Sequence, residues 1–342
     1  MILKSAKQRF EKLEEHPLWE RLNDIIQAHH SFIITTHMLP DGDGLGGEIA
    51  MASYLKQIGK ECHIINVDPT PEKFSIVDPD FEIKQWNPQK PLPKAHVIFA
   101  IDVNDWKRMG PLAMPLAQLK EQLKAKSIFI DHHIADEKLK QEHIIDERTS
   151  SMGEFLFQFF KYIEAEITFK MALAMYVSIF TDTNAFRHRK TTALSHAICA
   201  ALVETGVNPA FVTKQVHQTR SLSEVRLLGE VLKTVQTTPD GKIAWIEISQ
   251  ALQKKYGATS EETQGVVDYL LALKEIEVGI FFREEPDGTI AVSFRSKGNV
   301  EIYPLVKKLG GGGHAYEAGV LIRKGTLQEV VQRVLAEAQK FI

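Results

Sequence analysis

The sequence has few cysteines and no long hydrophobic run. Cys62 and Cys199 are the two cysteines among 342 residues, and neither belongs to a CxxC pair. Two cysteines so far apart in the sequence argue against a disulfide framework and a zinc–thiolate site, and they favour a reducing compartment. No apolar run approaches the length of a membrane span, which is about 18 residues, and residues 1–10 lack the apolar core of a signal peptide. We therefore expect a soluble, cytoplasmic protein with no membrane partner.

An excess of positive charge is also missing. Lys and Arg (41) nearly balance Asp and Glu (44), which gives a formal net charge of −3. A chain of this charge has no general attraction for a long polyanion, so we expect no long nucleic-acid track, and any nucleic-acid ligand should be short. The composition, with 44% hydrophobic and 25% charged residues, is typical of globular proteins, and the length predicts two domains.

The hydrophobic pattern predicts an α/β fold. Short apolar runs at 32–36, 63–67, 97–101 and 128–130 alternate with helix-like segments, which indicates βαβ units and a doubly wound, mainly parallel sheet. Residues 1–30 read as a helix packed on this sheet, and residues 155–180 as one or two buried helices. Further strands at 243–248, 278–282 and 290–294, with a turn at 285–288, predict a smaller C-terminal α/β domain. We place the domains at 1–205 and 223–342, with a linker at 206–222.

Three of the predicted strands end in acidic residues and histidines. These residues are His37, Asp41 and Asp43 after the first strand, Asp102 after the third, and Asp131, His132 and His133 after the fourth. Each group alone is compatible with a turn or a helix cap. The carboxyl ends of parallel strands share one edge of a sheet, however, so the groups could converge there. Clustered carboxylates repel one another unless cations bind between them, and Gly42 and Gly44 would let the chain turn tightly around such a site.

The mixture of ligands indicates which metal would bind. Carboxylate oxygens with some imidazole and no thiolate suit Mn²⁺ or Mg²⁺, and the imidazoles favour Mn²⁺. Two such cations, about 3.5 to 4 Å apart, polarise a phosphoryl group and generate hydroxide from bound water at neutral pH. We therefore predict hydrolysis of a phosphoester or a phosphoanhydride.

These residues resemble the motifs of the DHH phosphoesterases, a family named after the triplet that Asp131, His132 and His133 form here. The resemblance implies that His37, Asp41 and Asp102 bind one metal ion. It implies that Asp43, Asp102, His132 and Asp182 bind the second, with Asp102 bridging the two ions and a bridging hydroxide as the nucleophile. It also implies that His133 contacts or protonates the departing oxygen and that Asp131 orients the histidines.

The C-terminal glycine run resembles the signature of the DHHA1 domain, which accompanies part of this family. Consecutive glycines let several backbone N–H groups face one anion, and His314 could add a donor. A flexible linker is the alternative, but the run lies between a helical pattern at 300–309 and an apolar segment at 318–322. The resemblance implies that the substrate-binding residues of this domain are Arg295, Ser296, Gly311, Gly312, Gly313 and His314. Arg187, in a basic loop, could bind phosphate as well or simply be solvated.

Within the family, the two-domain layout resembles the nanoRNase group. The resemblance implies a metal-dependent oligoribonuclease that degrades nanoRNA and dinucleotides such as pApA and dephosphorylates 3′-phosphoadenosine 5′-phosphate (pAp), in a cleft between the domains. The chain departs from our expectation of the family at Asn184, at Gly47 and at 315–317, which bears on substrate preference. The protein could form a homodimer.

Four alternative functions remain. The first is a cyclic-dinucleotide (c-di-AMP) phosphodiesterase. The second is an inorganic pyrophosphatase or exopolyphosphatase, which the glycine run disfavours. The third is a RecJ-type exonuclease, which would need a longer chain and a basic track for the polymer. The fourth is a non-catalytic nucleotide sensor, which is disfavoured because every expected ligand position is filled.

Overall fold

The computed structural model describes residues 17–218, 221–257, 263 and 265–342. The chain divides into two compact units between Thr219 and Arg220. This division lies within the predicted linker 206–222, whose described part includes the helix Pro209–His217. The first half of the predicted helix at 1–30 lies outside the described residues. No helix in the described ranges combines the length and apolar character that crossing a bilayer requires.

The first unit is built on a six-stranded parallel sheet. Its strands are β1 Ser31–Thr35, β2 Glu61–Asn66, β3 Ile83–Gln85, β4 Val97–Ile101, β5 Lys126–Asp131 and β6 Ile144–Ile145, in the order β3-β2-β1-β4-β5-β6. The helices are α1 Pro17–Ala28, α2 Gly42–Gln57, α3 Ala113–Leu123, α4 Glu137–Glu142, α5 Met152–Tyr162, α6 Phe169–Asp182, α7 Ala193–Glu204 and α8 Pro209–His217, with 3₁₀ helices at Glu72–Val77 and Trp106–Leu112. The strand order reverses between β1 and β4, so the sheet is doubly wound, as predicted.

The central strands β1 and β4 are buried on both faces because helices cover both sides of the sheet. Phe32 and Ile34 of β1 face the larger core, which α2, α5 and α6 close. Ile33, between them, faces a second core on the opposite side, with Ile98 of β4 and Leu116 of α3. This alternation follows from the period of two residues in a strand, and it explains why these strands read as continuous apolar runs in the sequence.

Helix α2 begins directly after Asp41, whose side chain caps it by accepting hydrogen bonds from the backbone N–H groups of Asp43 and Gly44. The expectation that Gly42 and Gly44 serve a tight turn is wrong, because both residues are helical. Their lack of a side chain permits close packing instead. A Cβ on Gly42 would lie 2.3 Å from Thr181 Oγ1, and one on Gly44 would lie 2.3 Å from Thr36 Oγ1.

The second unit contains a mixed sheet. Its strands are β7 Gln236–Thr237, β8 Ile243–Ile248, β9 Val278–Glu284, β10 Ile290–Ser296, β11 Gly312–Gly313 and β12 Glu317–Ile322, in the order β11-β12-β10-β9-β8-β7, with only the β8–β9 pair parallel among those described. The helices are α9 Leu222–Leu232, α10 Gln250–Tyr256, α11 Asp268–Leu271, α12 Tyr303–Lys308 and α13 Leu327–Ala338. Ile280 and Phe282 of β9 share a core with α12 and α13, while Phe281 faces a core with α9 and α11.

Candidate metal centre

The carboxyl edge of the parallel sheet collects the acidic and histidine residues of the first unit. His37 follows β1, Asp102 follows β4, and the triplet 131–133 begins at the last residue of β5. The remaining predicted ligands come from helix ends, with Asp41 and Asp43 at the start of α2 and Asp182 at the end of α6. They form two groups whose potential ligand atoms all lie within 4.8 Å of one another inside each group, namely His37, Asp41 and Asp102 in one and Asp43, His132 and Asp182 in the other.

In the first group, His37 and Asp102 face each other. His37 Nε2 lies 3.2 Å from Asp102 Oδ2 and 3.9 Å from Asp41 Oδ1. The other ring nitrogen, Nδ1, lies 2.7 Å from the carbonyl oxygen of Met38. A carbonyl can only accept, so Nδ1 carries a proton, and Nε2 is the nitrogen directed at the carboxylates. A metal ion would bind at Nε2 of the neutral ring, in place of the second proton.

In the second group, His132 lies among three carboxylates. Its Nε2 is 3.0 Å from Asp43 Oδ2, 3.6 Å from Asp182 Oδ2 and 3.6 Å from Asp102 Oδ1. Asp102 thus turns one oxygen to each group, which is the arrangement that a bridging carboxylate needs. His132 Nδ1 lies 3.3 Å from the carbonyl oxygen of Thr149, which again directs Nε2 toward the acids.

The backbone of Asp102 has a left-handed conformation, with φ of 61°. Few residues other than glycine adopt this region, although aspartate tolerates it better than most. Its N–H donates to the carbonyl oxygen of Ile130, at 2.9 Å. The fold therefore fixes a strained residue between the two groups, as is common at functional sites.

Asp43 is held by contacts that the sequence did not reveal. Its Oδ1 accepts from Met152 N at 2.9 Å, and the hydroxyl of Ser178 donates to the same oxygen. Ser178 Oγ in turn accepts from Gly153 N, at 2.5 Å. Ser178 is a buried polar residue within the apolar helix α6. A serine inside an apolar run was the one feature of the sequence that could have pointed to this contact. Three helices, α2, α5 and α6, thus meet at one carboxylate.

The DHH triplet is organised around Asp131. Its Oδ1 accepts from His132 N and lies 2.8 Å from His133 Nδ1. His133 Nδ1 also lies 3.3 Å from Asp102 Oδ1. Asp131 therefore contacts both histidines, and the ring of His133 is directed by two carboxylates.

The electrostatics of the cluster show what a cation would replace. Burial lowers the pKa of His132, but Asp182, Asp102 and Asp43 outweigh this effect and raise it well above the usual range. Burial also raises the pKa of Asp182 to about 8, and the neighbouring carboxylates add to the rise. For Asp102 burial acts in the same direction, but the three histidines outweigh it and hold the pKa well below its usual range. Without a metal ion, protons on the histidines therefore compensate the buried negative charge.

Two buried carboxylate oxygens support the same interpretation. Asp102 Oδ1 and Asp182 Oδ2 make no hydrogen bond of ordinary geometry to any residue that the structure describes. Buried polar atoms seldom stay unsatisfied, and a divalent cation would satisfy both oxygens and displace the compensating protons. The donor set, which is rich in oxygen and contains imidazole, fits Mn²⁺ or Mg²⁺.

In the second unit, the glycine run is an ordered hairpin rather than a flexible linker. Gly312 and Gly313 form β11 and pair with Gly319 and Ala318 of β12. A Cβ on Gly311 would lie 2.2 Å from the carbonyl oxygen of Gly319, so this position excludes any side chain. The backbone N–H of His314 donates to the carbonyl oxygen of Glu317, at 2.6 Å, and closes the hairpin.

Arg295 and Ser296 end strand β10, and both have internal partners. Arg295 Nη2 forms an ion pair with Glu317, which lies directly opposite on β12, and its Nε lies 3.8 Å from Asp268 Oδ1. Ser296 Oγ accepts from Gly298 N, at 3.1 Å. Two carboxylates thus offset the charge of the predicted phosphate-binding arginine. The sequence pointed to position 317 only as a departure from the family.

Arg187, the remaining predicted substrate residue, lies in the loop that follows α6. Its guanidinium donates to Asn184 of the same loop, from Nε to the carbonyl oxygen at 2.9 Å and from Nη2 to Oδ1 at 2.7 Å. Arg187 is therefore exposed but held in place.

Comparisons with known proteins agree with this geometry. The model of the DHH family, N-terminal domain, matches residues 31–179, and that of the DHHA1 domain matches residues 242–342. A protein of Thermus thermophilus named bifunctional oligoribonuclease and PAP phosphatase NrnA is 28% identical over 93% of both chains. A protein of the same name from Mycoplasma pneumoniae is 25% identical over 93% of this chain and 94% of its own.

A solved structure shows the same fold over nearly the whole chain. It is an exopolyphosphatase-related protein from Bacteroides fragilis, with a TM-score of 0.84, 24% sequence identity, and coverage of 95% of this chain and 96% of that one. The two family models match in this order and together span most of the chain, so the protein carries a DHH-family N-terminal domain followed by a DHHA1 domain.

Proposed function

We propose that the protein is a two-metal-dependent phosphoesterase that hydrolyses short oligoribonucleotides such as pApA and removes a phosphate from pAp. The observation that carries this proposal is the convergence of six ligand residues into two groups that share Asp102. The names of the two NrnA relatives, which match along most of the chain, support short RNA and PAP as the substrate class. The two cysteines, which form no disulfide, are compatible with a cytoplasmic enzyme.

His37, Asp41 and Asp102 would hold one cation, and Asp43, Asp102, His132 and Asp182 would hold the other. We place Mn²⁺ first, and Mg²⁺ second, because imidazole is among the donors. Bound together, the two cations would polarise the phosphoryl group and supply hydroxide as the nucleophile.

The chain's own residues would orient the reaction. The hydrogen bonds from Met152 N and Ser178 fix Asp43, so that the ligand cannot rotate away from His132. Asp131 holds Nδ1 of His133, and Nε2 is then the atom that would deliver a proton to the departing oxygen. Such preorganisation matters because a misplacement of about 1 Å can cost a factor of about 100 in rate.

In the DHHA1 domain, we assign phosphate binding to the glycine hairpin and to the end of β10. Strand β11 lies at the edge of its sheet, next to β12. The backbone N–H and C=O groups on its outer side are therefore directed away from β12. Gly311, Gly312, Gly313 and His314 would bind a substrate phosphate there, together with Arg295 and Ser296.

Initial rates on a panel of substrates test the proposal. The purified protein is stripped with a chelator, reloaded with Mn²⁺ or Mg²⁺, and given pAp, pApA, pGpG, cyclic di-AMP, a long single-stranded RNA or pyrophosphate. We expect metal-dependent turnover that is fastest on pApA and pAp. Faster turnover of cyclic di-AMP or pyrophosphate would move the protein to one of the alternative activities.

The Asp102→Asn variant tests the metal assignment in the same assay. It removes the negative charge of the carboxylate that both groups share, so we expect turnover to be lost and bound metal, measured by elemental analysis, to fall. Turnover at the wild-type rate by this variant would refute the proposed centre.

A further inference from the structure

The loop 183–188, which follows the candidate ligand Asp182, has an unusual backbone. Asn184, Ala185 and Phe186 are consecutive non-glycine residues in the left-handed region, with φ of 48°, 54° and 66°. L-residues other than glycine rarely adopt this conformation, and a run of three requires strong support from the surroundings. Strain of this kind tends to be kept where it positions a functional group.

Hydrogen bonds hold the loop against the end of α6. The N–H of Asn184 donates to the carbonyl oxygen of Thr181 at 3.0 Å, and that of Ala185 to the carbonyl oxygen of Phe180 at 2.8 Å. At the end of the loop, the N–H of His188 donates to the carbonyl oxygen of Thr183, at 2.9 Å. The loop therefore stays beside the helix end that carries Asp182.

An aromatic contact anchors the middle of the loop. The ring of Phe186 stacks on His196 of α7, with centroids 5.1 Å apart and an interplanar angle of 29°. It also meets Phe180 edge to face, with a centroid distance of 5.9 Å. The residue between the two anchored positions 186 and 188 is Arg187, so its backbone is fixed.

The side chain of Arg187 is fixed as well, and by a neutral partner. An arginine has five N–H donors, and two of those on Arg187 go to the carbonyl oxygen and Oδ1 of Asn184. No carboxylate among the described residues pairs with Arg187, and the sequence has no Asp or Glu at 183–203. The guanidinium is therefore oriented by an uncharged partner and forms no ion pair within the described part of the chain. Arg295 differs, because Glu317 and Asp268 offset its charge.

We propose that Asn184 is a positioning residue, which orients the Arg187 guanidinium to bind a phosphate group of the nucleotide substrate. The proposal rests on the proposed function, since it takes the substrate to be a nucleotide. A planar guanidinium that is already oriented binds a phosphate in bidentate fashion with less loss of side-chain freedom. Asn184 combines the two properties that this task needs, since asparagine tolerates a left-handed backbone and its amide oxygen accepts without adding negative charge.

Steady-state kinetics on pApA with Mn²⁺, together with thermal unfolding and metal content, test the inference. We expect Asn184→Gly to raise KM about tenfold, with kcat and metal content within about twofold of the wild type. The unfolding temperature should be unchanged or higher, because glycine adopts the left-handed conformation without strain. A residue with a merely structural role would instead lower the unfolding temperature and kcat together, and that result would overturn the proposal.

Three further variants make the test specific. Arg187→Gln should raise KM at least as much as Asn184→Gly, and the double variant should add little to Arg187→Gln alone, because both changes remove one function. Arg189→Gln removes an equal charge two residues further along the chain, just beyond the loop, and it should leave KM within about twofold. Additive effects in the double variant, or an equal effect of Arg189→Gln, would refute the positioning role.

Asn184→Asp separates orientation from charge. Aspartate retains the acceptor and tolerates the backbone, but it offsets the charge of Arg187, so we expect KM to rise severalfold. A wild-type KM for this variant would show that the free charge of Arg187 is not used. Turnover by the wild-type protein is measured first, and its absence on every nucleotide would refute the proposed function rather than the role of Asn184.

Discussion

The close approach of α2 and α6 can be tested by replacing Gly46 of α2 with alanine. The same replacement at an exposed glycine of α9 serves as the control. A Cβ on Gly46 would lie 2.4 Å from the backbone carbonyl oxygen of Ala174 and 2.9 Å from Ser178 Cβ. The carbonyl cannot rotate away, so Gly46→Ala must push the two helices apart by about 1 Å. Overpacking of this kind costs about 1 to 3 kcal/mol, which exceeds or cancels the roughly 1 kcal/mol that alanine gains over glycine in a helix.

The matched control is Gly229, an exposed residue of α9 with no atom within 4 Å of the position of its Cβ. Gly229→Ala should stabilise its unit by about 0.5 to 1 kcal/mol, through helix propensity alone. Urea unfolding followed by circular dichroism gives both changes. For Gly46→Ala we expect a lower unfolding midpoint for the first unit and also a loss of about 100-fold in kcat/KM, because the displaced α2 carries Asp41 and Asp43. A Gly46→Ala protein as stable and active as the wild type would refute the steric reasoning.

Three other perturbations follow from the same structure. We expect His314→Ala to raise KM for nucleotides with little change in kcat, and an unchanged KM in steady-state assays would exclude a phosphate contact by the hairpin. Glu317→Gln removes a charge that offsets Arg295, so KM for pAp should fall severalfold at low salt and less at high salt, while an unchanged KM at both salts would show that Arg295 does not bind phosphate. Burial raises the pKa of Glu48 to about 8, so the folded state binds more protons than the unfolded state between about pH 4.5 and 8, and stability falls as the pH rises through this window. Glu48→Gln should remove a pH-dependent contribution on the order of a few kcal/mol in urea titrations from pH 5 to 9, and equal slopes for both proteins would contradict the assignment.

The sequence predicted the parallel sheet and the position of the acidic cluster because both can be recognised from short continuous apolar runs and from the residues that follow them. The strand at 97–101 coincides with β4, and the segment 155–180 overlaps most of the two buried helices α5 and α6. Short strands such as β3 and β6, with three and two residues, were missed because so few residues form no recognisable apolar run. Their place is set by pairing with neighbouring strands.

The contacts that support the site could not be predicted from the sequence, because they join residues that lie far apart in the chain. Ser178 and Asp43 are separated by 135 positions, and no local pattern connects them. The ion pair between Arg295 and Glu317 depends on the register of β10 against β12. The sequence showed that glycine is required at 42 and 44, but the reason we predicted, a tight turn, is wrong. A turn and a close contact of a helix with its neighbours both favour glycine, so the residue type alone does not distinguish them.

Helix α2 contains four glycines among its sixteen residues, all within its first six positions. Each glycine disfavours the helix by about 1 kcal/mol relative to alanine, so the first half of α2 has almost no tendency to form by itself. We therefore expect its first turns to form only once β1 and α6 are in place to pack against them, which would make this part of the site a late event in folding. For the same reason, we expect the start of α2 to unfold locally before the rest of the first unit. The residues from Asp41 to Gly47 should therefore be among the first buried residues of this unit to exchange their amide hydrogens.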